Sequence, residues 1–158
     1  MTEHEKAHGN EHGNELQVLL VEDNAADAEL TMDALRDSRL VNRVQWVKDG
    51  AEALEVLFAN GTASAAESKR LKLVLLDLRL PRVDGLDVLR ALRADERTRR
   101  LPVVVLTSSH EEIDVVRAYD LGANSYLVKP VESDAFMQAV KELGLYWMLL
   151  NTLPGETG

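Results

Sequence analysis

Five polar side chains in this sequence come at or just after the end of a short apolar run: Glu22, Asp23, Asp77, Thr107 and Lys129. Carboxylates that converge without a partner repel one another, and their pKa values rise. A hard divalent cation relieves that repulsion, and Mg²⁺ binds through carboxylates, water and substrate phosphate. A lysine and a hydroxyl at the same point hold the remaining phosphoryl oxygens. We call these five residues the strand-end set, because short apolar runs are candidate strands. The set indicates phosphoryl transfer onto a carboxylate, with the metal and the lysine neutralising the developing charge.

Each of these residues also has a simpler interpretation when it is taken alone. Asp23 and Thr107 are of types that commonly cap helices, and Lys129 is of a type that is usually a solvated surface charge. The prediction of a site depends on the set, because acid, hydroxyl and lysine end different apolar runs of one chain.

The elements that position the set are predicted from the periodicity of apolar residues. Five apolar runs are strand candidates: 16–21, 44–47, 73–76, 103–106 and 126–128. A helical pattern follows each run, so we expect five strands alternating with five helices. Continuous apolar strands between amphipathic helices are typical of a parallel sheet covered on both faces. Ligands of such sheets gather at the carboxyl ends of the strands, where the set lies.

Three helices are predicted with particular apolar stripes. These are Ala26, Leu30 and Ala34 in the first helix, Ile113, Val116 and Tyr119 in the fourth, and Phe136, Val140, Leu143 and Trp147 in the last. Gly122 suits the position just after the fourth helix. Residues 109–112 form a capping-box pattern before that helix.

The start of the second helix leaves two alternatives open. Asp49 and Glu52 are a plausible cap and third-position acid for a helix over 51–58. Asp49-Gly50 also suits a hairpin turn, which the helical period after it disfavours. Asp84 is a candidate cap for the third helix, and 61–70 is predicted to be a long loop.

Composition limits the class of protein. The chain has 158 residues, a formal net charge of -9, 46% hydrophobic residues and no cysteine. That length fits one domain with its own core. The acidic balance disfavours nucleic acid as a partner, no apolar run is long enough to span a membrane, and the N-terminus lacks a secretory pattern. We expect a soluble, cytoplasmic domain with no disulfide.

The first fifteen residues are predicted to be a disordered tail. His4, His8 and His12 recur every four residues, which would align three imidazoles on a helix and offer an adventitious metal site. Gly9 and Gly13 interrupt the stretch, and no apolar residue would hold such a helix in place.

Four stretches together resemble the receiver domain of two-component response regulators. In the family's order they are LLVEDN (19–24), LVLLDLRLPRVDG (73–85), VVVLTSSH (103–110) and YLVKP (126–130). The resemblance covers roughly 16–145, with 146–158 left as a C-terminal extension. It implies an α/β, flavodoxin-like (CheY-like) fold with a five-stranded parallel sheet in the order 2-1-3-4-5 and helices on both faces, as in the chemotaxis receiver.

The resemblance also implies a role for each matching residue. Asp77 would accept a phosphoryl group from a phosphohistidine of a sensor histidine kinase, Lys129 would pair with that group, and Thr107 would hydrogen-bond it. Mg²⁺ would bind Asp23, Asp77, the backbone carbonyl of Arg79 and, through water, Glu22. Tyr126 would be the aromatic switch that moves with Thr107, and Lys129-Pro130 would be a cis peptide. The protein would be a phosphoacceptor rather than an enzyme, although it would catalyse its own phosphorylation and slow dephosphorylation.

Phosphorylation would act as a switch for reasons of charge. A phosphoryl group adds negative charge at one end of the sheet. Thr107 and Lys129 gain charge-assisted bonds in one of two arrangements, so the population shifts toward it. The resemblance places the readout on the fourth helix, fifth strand and fifth helix.

Several features are particular to this chain. Arg79 occupies a variable position of the family, and we predict that it affects the lifetime of the acyl phosphate; a solvent-exposed arginine without that effect is the alternative. The arginines Arg90, Arg93, Arg97, Arg99 and Arg100 are interleaved with acids and predict a solvated helix face. Only about a dozen residues follow the receiver, so direct promoter binding is not expected.

The C-terminal stretch 144–150 predicts a homodimer. On one continuous helix its apolar residues would point all round, and exposed contiguous apolar surface usually marks an interface. The residues expected at the contact are Tyr119, Tyr146, Trp147 and Leu150. The alternative is that this tail folds back onto its own core.

The loop after the second helix and the aromatic extension are similar to those of single-domain regulators paired with bacterial phytochrome-type histidine kinases. Three other functions remain open: a phosphate-independent interaction module, an intermediate in a phosphorelay, and an aspartyl phosphatase or phosphotransferase. Enzymes of the haloacid-dehalogenase type need an acid two residues after the nucleophile, where this chain has Arg79. Trp46 and Trp147 are remote in sequence from the acids, so tryptophan emission is expected to report only weakly on bound metal.

Overall fold

The structure is a computed structural model that describes residues 17–38, 43–58, 71–108 and 113–149, with the backbone alone at 113, 114, 147 and 148. Its strands are β1 (Val18–Val21), β2 (Val44–Val47), β3 (Leu73–Asp77), β4 (Val103–Thr107) and β5 (Ser125–Val128). Its helices are α1 (Ala25–Ser38), α2 (Gly50–Phe58), α3 (Gly85–Ala94), α4 (Ile113–Asp120), α5 (Ser133–Glu142) and α6 (Tyr146–Leu149). The predicted loop at 61–70, the capping box at 109–112, the tail at 1–15 and Leu150 lie outside the described residues.

The five strands form one sheet in the order β2-β1-β3-β4-β5, and every pairing is parallel. The predicted fold class and strand order are therefore confirmed. From β1 the chain adds β2 on one side, and it then crosses over to add β3, β4 and β5 on the other side. The carboxyl ends of β1 and β3 therefore flank the crevice where such sheets bind ligands.

Alternate residues of the strands enter two separate cores, because successive side chains of a strand point to opposite faces. On one face, Leu20 and Leu75 pack with residues of α1, α5 and α6. On the other, Val21 and Leu76 pack with residues of α2, α3 and α4. Burial on both faces explains the continuous apolar runs of the three inner strands, β1, β3 and β4, whereas the edge strands β2 and β5 are only partly buried and contain Gln45 and Ser125.

The predicted stripe of α1 is right at Ala34, which is buried, and wrong at Ala26 and Leu30, which are exposed. Leu30 is 49% exposed, and the helix also buries Ala28, Thr31, Leu35 and Ser38. The buried face includes two hydroxyl residues, so apolar spacing alone did not identify it.

The predicted stripe of α4 is also wrong for the two residues whose side chains the structure describes. Val116 is 60% exposed and Tyr119 44%, while Val115 and Ala118 face the core. The end of the helix is as predicted: Gly122 has φ +107°, and the Ala123 N–H donates to the Ala118 carbonyl, which is a Schellman C-cap.

The last helix is two helices rather than one. α5 ends at Glu142, Gly144 has φ +73°, and the short α6 follows. The break turns Leu145 and Leu149 into the core, where they are 5% and 0% exposed. The stretch therefore does not expose apolar residues all round, and the fold-back alternative holds for these two leucines.

The hairpin alternative at Asp49 is excluded because the segment that follows it, Gly50–Phe58, is the helix α2 and not a second strand. Asp49 accepts a hydrogen bond from the Glu52 N–H at 2.8 Å, as a helix cap does. Asp84 likewise caps α3 by accepting from the Gly85 N–H at 2.8 Å.

Within the described residues, no helix is long and apolar enough to cross a bilayer.

Arg93 contradicts the prediction that the arginine cluster is a solvated face. Its guanidinium is partly buried and donates to the carbonyls of Gly122, Thr98, Arg99 and Leu101 and to Asn124 Oδ1. Burial lowers the pKa of Arg93. The side chain ties the end of α3 to the end of α4 and the start of β4.

Candidate functional site

Three carboxylates of the strand-end set meet beyond the carboxyl ends of the central strands. Glu22 and Asp23 follow β1, and Asp77 is the last residue of β3. Each offers an oxygen within 4.8 Å of the others. Glu22 is fully buried, Asp77 is 5% exposed, and Asp23 is exposed. The parallel register of β1 and β3 brings these residues together although more than fifty positions separate them in the sequence.

Lys129 enters this group from β5 at the edge of the sheet. Its Nζ lies 3.0 Å from Glu22 Oε1, 3.0 Å from Asp77 Oδ2 and 3.2 Å from Asp27 Oδ2. The ammonium thus bridges acids that follow β1 and β3. We call the group Glu22, Asp23, Asp27, Asp77 and Lys129 the acidic cleft.

Asp27 was not among the predicted site residues. This residue is in the first turn of α1, four positions after Asp23, a spacing that aligns residues in and near a helix. Its N–H donates to Asn24 Oδ1 at 2.8 Å, and the Asn24 N–H donates to Glu22 Oε2 at 3.1 Å. The spacing was available in the sequence, but the contact with Lys129 follows only from the fold.

The charges of the cleft shift its pKa values. Burial, together with the neighbouring Asp77 carboxyl, raises the pKa of Glu22 to about 7, against the lowering effect of the Asn24 amide and Lys129. Burial alone would lower the pKa of Lys129, but its bonds to Glu22 and Asp77 outweigh that effect and hold this pKa above its ordinary value. Lys129 is therefore a cation at neutral pH.

Backbone groups fix the Asp77 carboxylate and the loop that follows it. The Arg79 N–H donates to Asp77 Oδ1 at 3.0 Å, while the Arg79 side chain is exposed. Gly85 permits the loop to close, because a Cβ at this position would lie 2.4 Å from the Asp77 carbonyl oxygen. The two carboxylate oxygens of Asp77 thus have different partners, the amide on one side and Lys129 on the other.

Thr107 and Tyr126 lie on the neighbouring strands. Thr107 ends β4 and is 2% exposed, and its carbonyl accepts from the Lys129 N–H at 2.7 Å. Tyr126, in β5, meets Tyr119 of α4 edge to face, with ring centroids 6.3 Å apart. The predicted cis peptide at Lys129-Pro130 is present. Thr107 and the acidic cleft line one open cavity of about 240 Å³.

The donor set fits a hard divalent cation. Three carboxylates supply the oxygen ligands that Mg²⁺ prefers, and a neighbouring cavity leaves space for further oxygens. The buried negative charge is only partly balanced by Lys129. This arrangement can hold a cation and a phosphoryl group together.

The residues predicted for the dimer contact are not brought into one patch by the described contacts. Tyr119 packs near Tyr126 on the side of α4, whereas Tyr146 packs against the core formed with α1 and α5. The side chain of Trp147 and all of Leu150 lie outside the described part of the chain.

Comparison with known proteins agrees with this geometry. The family model described as the response regulator receiver domain matches residues 18–141. The probable methanogenesis regulatory protein FilR2 of Methanothrix harundinacea is 42% identical over 138 residues, which are 87% of each chain. The response regulator Rcp1 of Synechocystis is 37% identical over 137 residues, 87% of this chain and 92% of Rcp1.

Two solved structures are similar over most of the chain. The bacteriophytochrome response regulator RtBRR has 46% sequence identity and a TM-score of 0.73, with 88% of this chain and 84% of RtBRR covered. The Mn²⁺-bound form of Rcp1 has 35% identity and a TM-score of 0.64, with 89% of this chain and 99% of Rcp1 covered.

Proposed function

The chain belongs to the response regulator receiver domain family, and on that premise we propose that Asp77 accepts a phosphoryl group in a Mg²⁺-dependent reaction. The observation that carries the proposal is the bridge of Lys129 between Glu22 and Asp77, 3.0 Å from each. Through this bridge, the Lys129 cation contacts both a buried acid and the candidate nucleophile at the ends of the two central strands.

The proposed reaction transfers phosphorus from nitrogen to oxygen. An Asp77 carboxylate oxygen attacks the phosphorus of a phosphohistidine, the N–P bond breaks, and its electron pair stays on the imidazole nitrogen. Lys129 is placed to neutralise the charge of the phosphoryl oxygens, and Thr107 to donate a hydrogen bond to one of them. When bound, Mg²⁺ supplies further positive charge at the same point.

The chain's own residues would hold that cation. Asp23 and Asp77 are the proposed direct carboxylate ligands, the Arg79 carbonyl is a third protein ligand, and Glu22 acts through water. The exposure of Asp23 supports this assignment, because a carboxylate open to the cavity can bind an ion without unfolding the site.

We propose Thr107 and Tyr126 as the switch. Thr107 is drawn toward the phosphoryl group, and Tyr126 moves with it because it lies on the strand that pairs with β4. Tyr126 contacts Tyr119 on α4, so its motion would alter the exposed surface formed by α4, β5 and α5. This surface would carry the signal to a protein partner.

The proposed phosphodonor is a sensor histidine kinase of the phytochrome type. Support comes from the bacteriophytochrome response regulator RtBRR, to which this chain is 46% identical. We place the transfer in the cytoplasm and the receiver at 16–145. The protein is a phosphoacceptor that promotes its own phosphorylation, not an enzyme with an external substrate.

Phosphotransfer from a purified bacterial phytochrome kinase tests this assignment. The kinase is first labelled with [γ-³²P]ATP and then mixed with the wild-type chain or with Asp77→Asn. We expect label to move to the wild-type chain within minutes and not to the variant. Equal labelling of both proteins would contradict the role of Asp77.

We also propose a homodimer that uses the α4–α5 side and the extension 146–158. The support is the exposed apolar pair Val116 and Tyr119, since exposed apolar patches mark interfaces. Val116→Lys should weaken self-association, whereas Leu30→Lys on α1 should not. A monomer mass that stays constant with concentration in sedimentation would exclude the dimer.

A further inference from the structure

Trp46 makes a direct contact with the acidic cleft. Its indole Nε1–H donates to the backbone carbonyl of Glu22 at 2.7 Å, across 24 positions of sequence. Trp46 is in β2, the edge strand next to β1. Trp46 is remote from the acids in sequence, but the fold brings its indole to the backbone of Glu22.

The contact acts at the point where the sheet ends. The last paired residues of β1 and β2 are Val21 and Val47, and the Glu22 N–H then donates to the Val47 carbonyl at 3.1 Å. The indole bond holds the next group along the chain, the carbonyl of the peptide that joins Glu22 to Asp23. Together these two bonds tie both sides of Glu22 to β2.

That peptide determines where the two acids point. Rotation about it would change the backbone angle that precedes Asp23 and move its carboxylate relative to Asp77. The bond also restrains the ψ angle of Glu22, because rotation about its Cα–C bond would swing the carbonyl oxygen away from the indole.

The rest of the fold holds the indole in place. One side of Trp46 packs against the core formed by α1 and α5, and Lys48 Nζ lies 5.6 Å from the centre of its ring. The Lys48 N–H in turn donates to Glu52 Oε1 at 2.8 Å, which joins this segment to the start of α2. The indole N–H of Trp46 is therefore positioned by the packing of its ring and not by the acids of the cleft.

We infer that Trp46 is a positioning residue that orients the Glu22–Asp23 acid pair for cation binding. Because it contacts this pair, its emission also reports whether a cation occupies the cleft. The inference rests on the proposed Mg²⁺ site. A cation held by Asp23 and Asp77 would add positive charge at the peptide whose carbonyl the indole binds, and a nearby charge shifts indole emission.

Two variants separate the roles of the two tryptophans of this chain. Trp46→Phe keeps an aromatic ring and removes the N–H, while Trp147→Phe is the matched control and leaves Trp46 as the sole tryptophan. Mg²⁺ affinity of both full-length variants and of the wild type is measured by calorimetry with the metal alone. Emission of the Trp147→Phe variant is recorded over the same titration.

We expect Trp46→Phe to bind Mg²⁺ about 2- to 10-fold more weakly than Trp147→Phe, the range that one neutral hydrogen bond accounts for. Emission of Trp147→Phe should change with Mg²⁺ and saturate at the calorimetric stoichiometry. Adding Asp77→Asn to Trp147→Phe should reduce this response in parallel with the affinity.

Equal affinities in the two single variants, or constant emission of Trp147→Phe through a calorimetrically detected binding event, would overturn the inference while leaving the Mg²⁺ site intact. The emission measurement does not depend on whether Trp46→Phe folds. A wild-type protein that binds no Mg²⁺ would contradict both the site and the role of Trp46.

Discussion

Lys129 Nζ lies 3.0 Å from Oδ2 of Asp77, although 52 positions separate the two residues in the sequence. The same ammonium contacts Glu22, whose side chain is fully buried. Without a cation, the buried carboxylates would carry a large desolvation cost and would repel each other. Lys129 therefore offsets part of this repulsion as well as facing the proposed phosphoacceptor.

Replacing this cation should destabilise the metal-free protein. We expect Lys129→Met to lower the free energy of unfolding at neutral pH by about 3 kcal/mol, because it leaves buried acids unpaired. Mg²⁺ should restore part of the loss, since it binds the folded state. Urea unfolding with and without Mg²⁺ measures both effects. Lys141→Met, at an exposed position, is the control, and an equal loss in both variants would refute the account.

The exposed side chain of Arg79 should lengthen the life of the acyl phosphate. In Arg79→Ala we expect decay about 1.4- to 5-fold faster, since an exposed charge contributes on the order of 0.2–1 kcal/mol. Release of phosphate from the phosphorylated chain gives the rate. Arg90→Ala, on α3, should decay as the wild type does; an unchanged rate in Arg79→Ala would leave Arg79 as a solvent-exposed arginine without this role.

Arg93 should matter more for stability than its neighbours on α3. Arg93→Met removes the donors to the Gly122 and Leu101 carbonyls, at 2.8 and 2.7 Å, and should lower the free energy of unfolding by about 2–4 kcal/mol. Arg90→Met, which breaks only an exposed pair with Asp87, should change it by less than about 0.5 kcal/mol. Denaturant titration compares them, and equal effects would show that the Arg93 bonds are energetically minor.

Asp95, in the turn after α3, should make the stability of the folded state depend on pH in the acid range. Hydrogen bonds from the Arg97 side chain and backbone lower the pKa of Asp95 from 3.8 to about 2. A depressed carboxyl pKa stabilises the folded state above the unfolded value of 3.8, and this contribution is lost as pH falls toward 2. NMR titration of the Asp95 carboxyl should give a midpoint near 2 in the wild type and a higher one in Arg97→Gln. The same midpoint in both proteins would contradict this assignment.

The sheet and the cleft could be predicted because each depends on a pattern that the chain carries locally. Strands buried on both faces are continuous apolar runs, and parallel strands end at one edge of the sheet. Acids at 22, 23 and 77 and a lysine at 129 were therefore expected at the same edge of the sheet, and the structure shows that they also come into contact.

The helix faces and the long-range polar contacts could not be predicted in the same way. In α1 the spacing of Leu30 fits an apolar stripe as well as that of Leu35 does, and only packing against α5 selects the latter. The contacts of Arg93 with Gly122 and of Asp27 with Lys129 form only in the tertiary fold. The bond between Trp46 and Glu22 depends on the alignment of β2 with β1, which the sequence alone does not give.

Intact-mass spectrometry after incubation with acetyl phosphate tests the central claim most directly. The proteins are the wild type, Asp77→Asn and, as a matched control, Asp84→Asn at the α3 cap, each with and without Mg²⁺. We predict one added phosphoryl group on the wild type and on Asp84→Asn, only with Mg²⁺, and none on Asp77→Asn. Equal addition to Asp77→Asn, or equal addition to the wild type with and without Mg²⁺, would contradict the assignment of Asp77 as a metal-dependent phosphoacceptor.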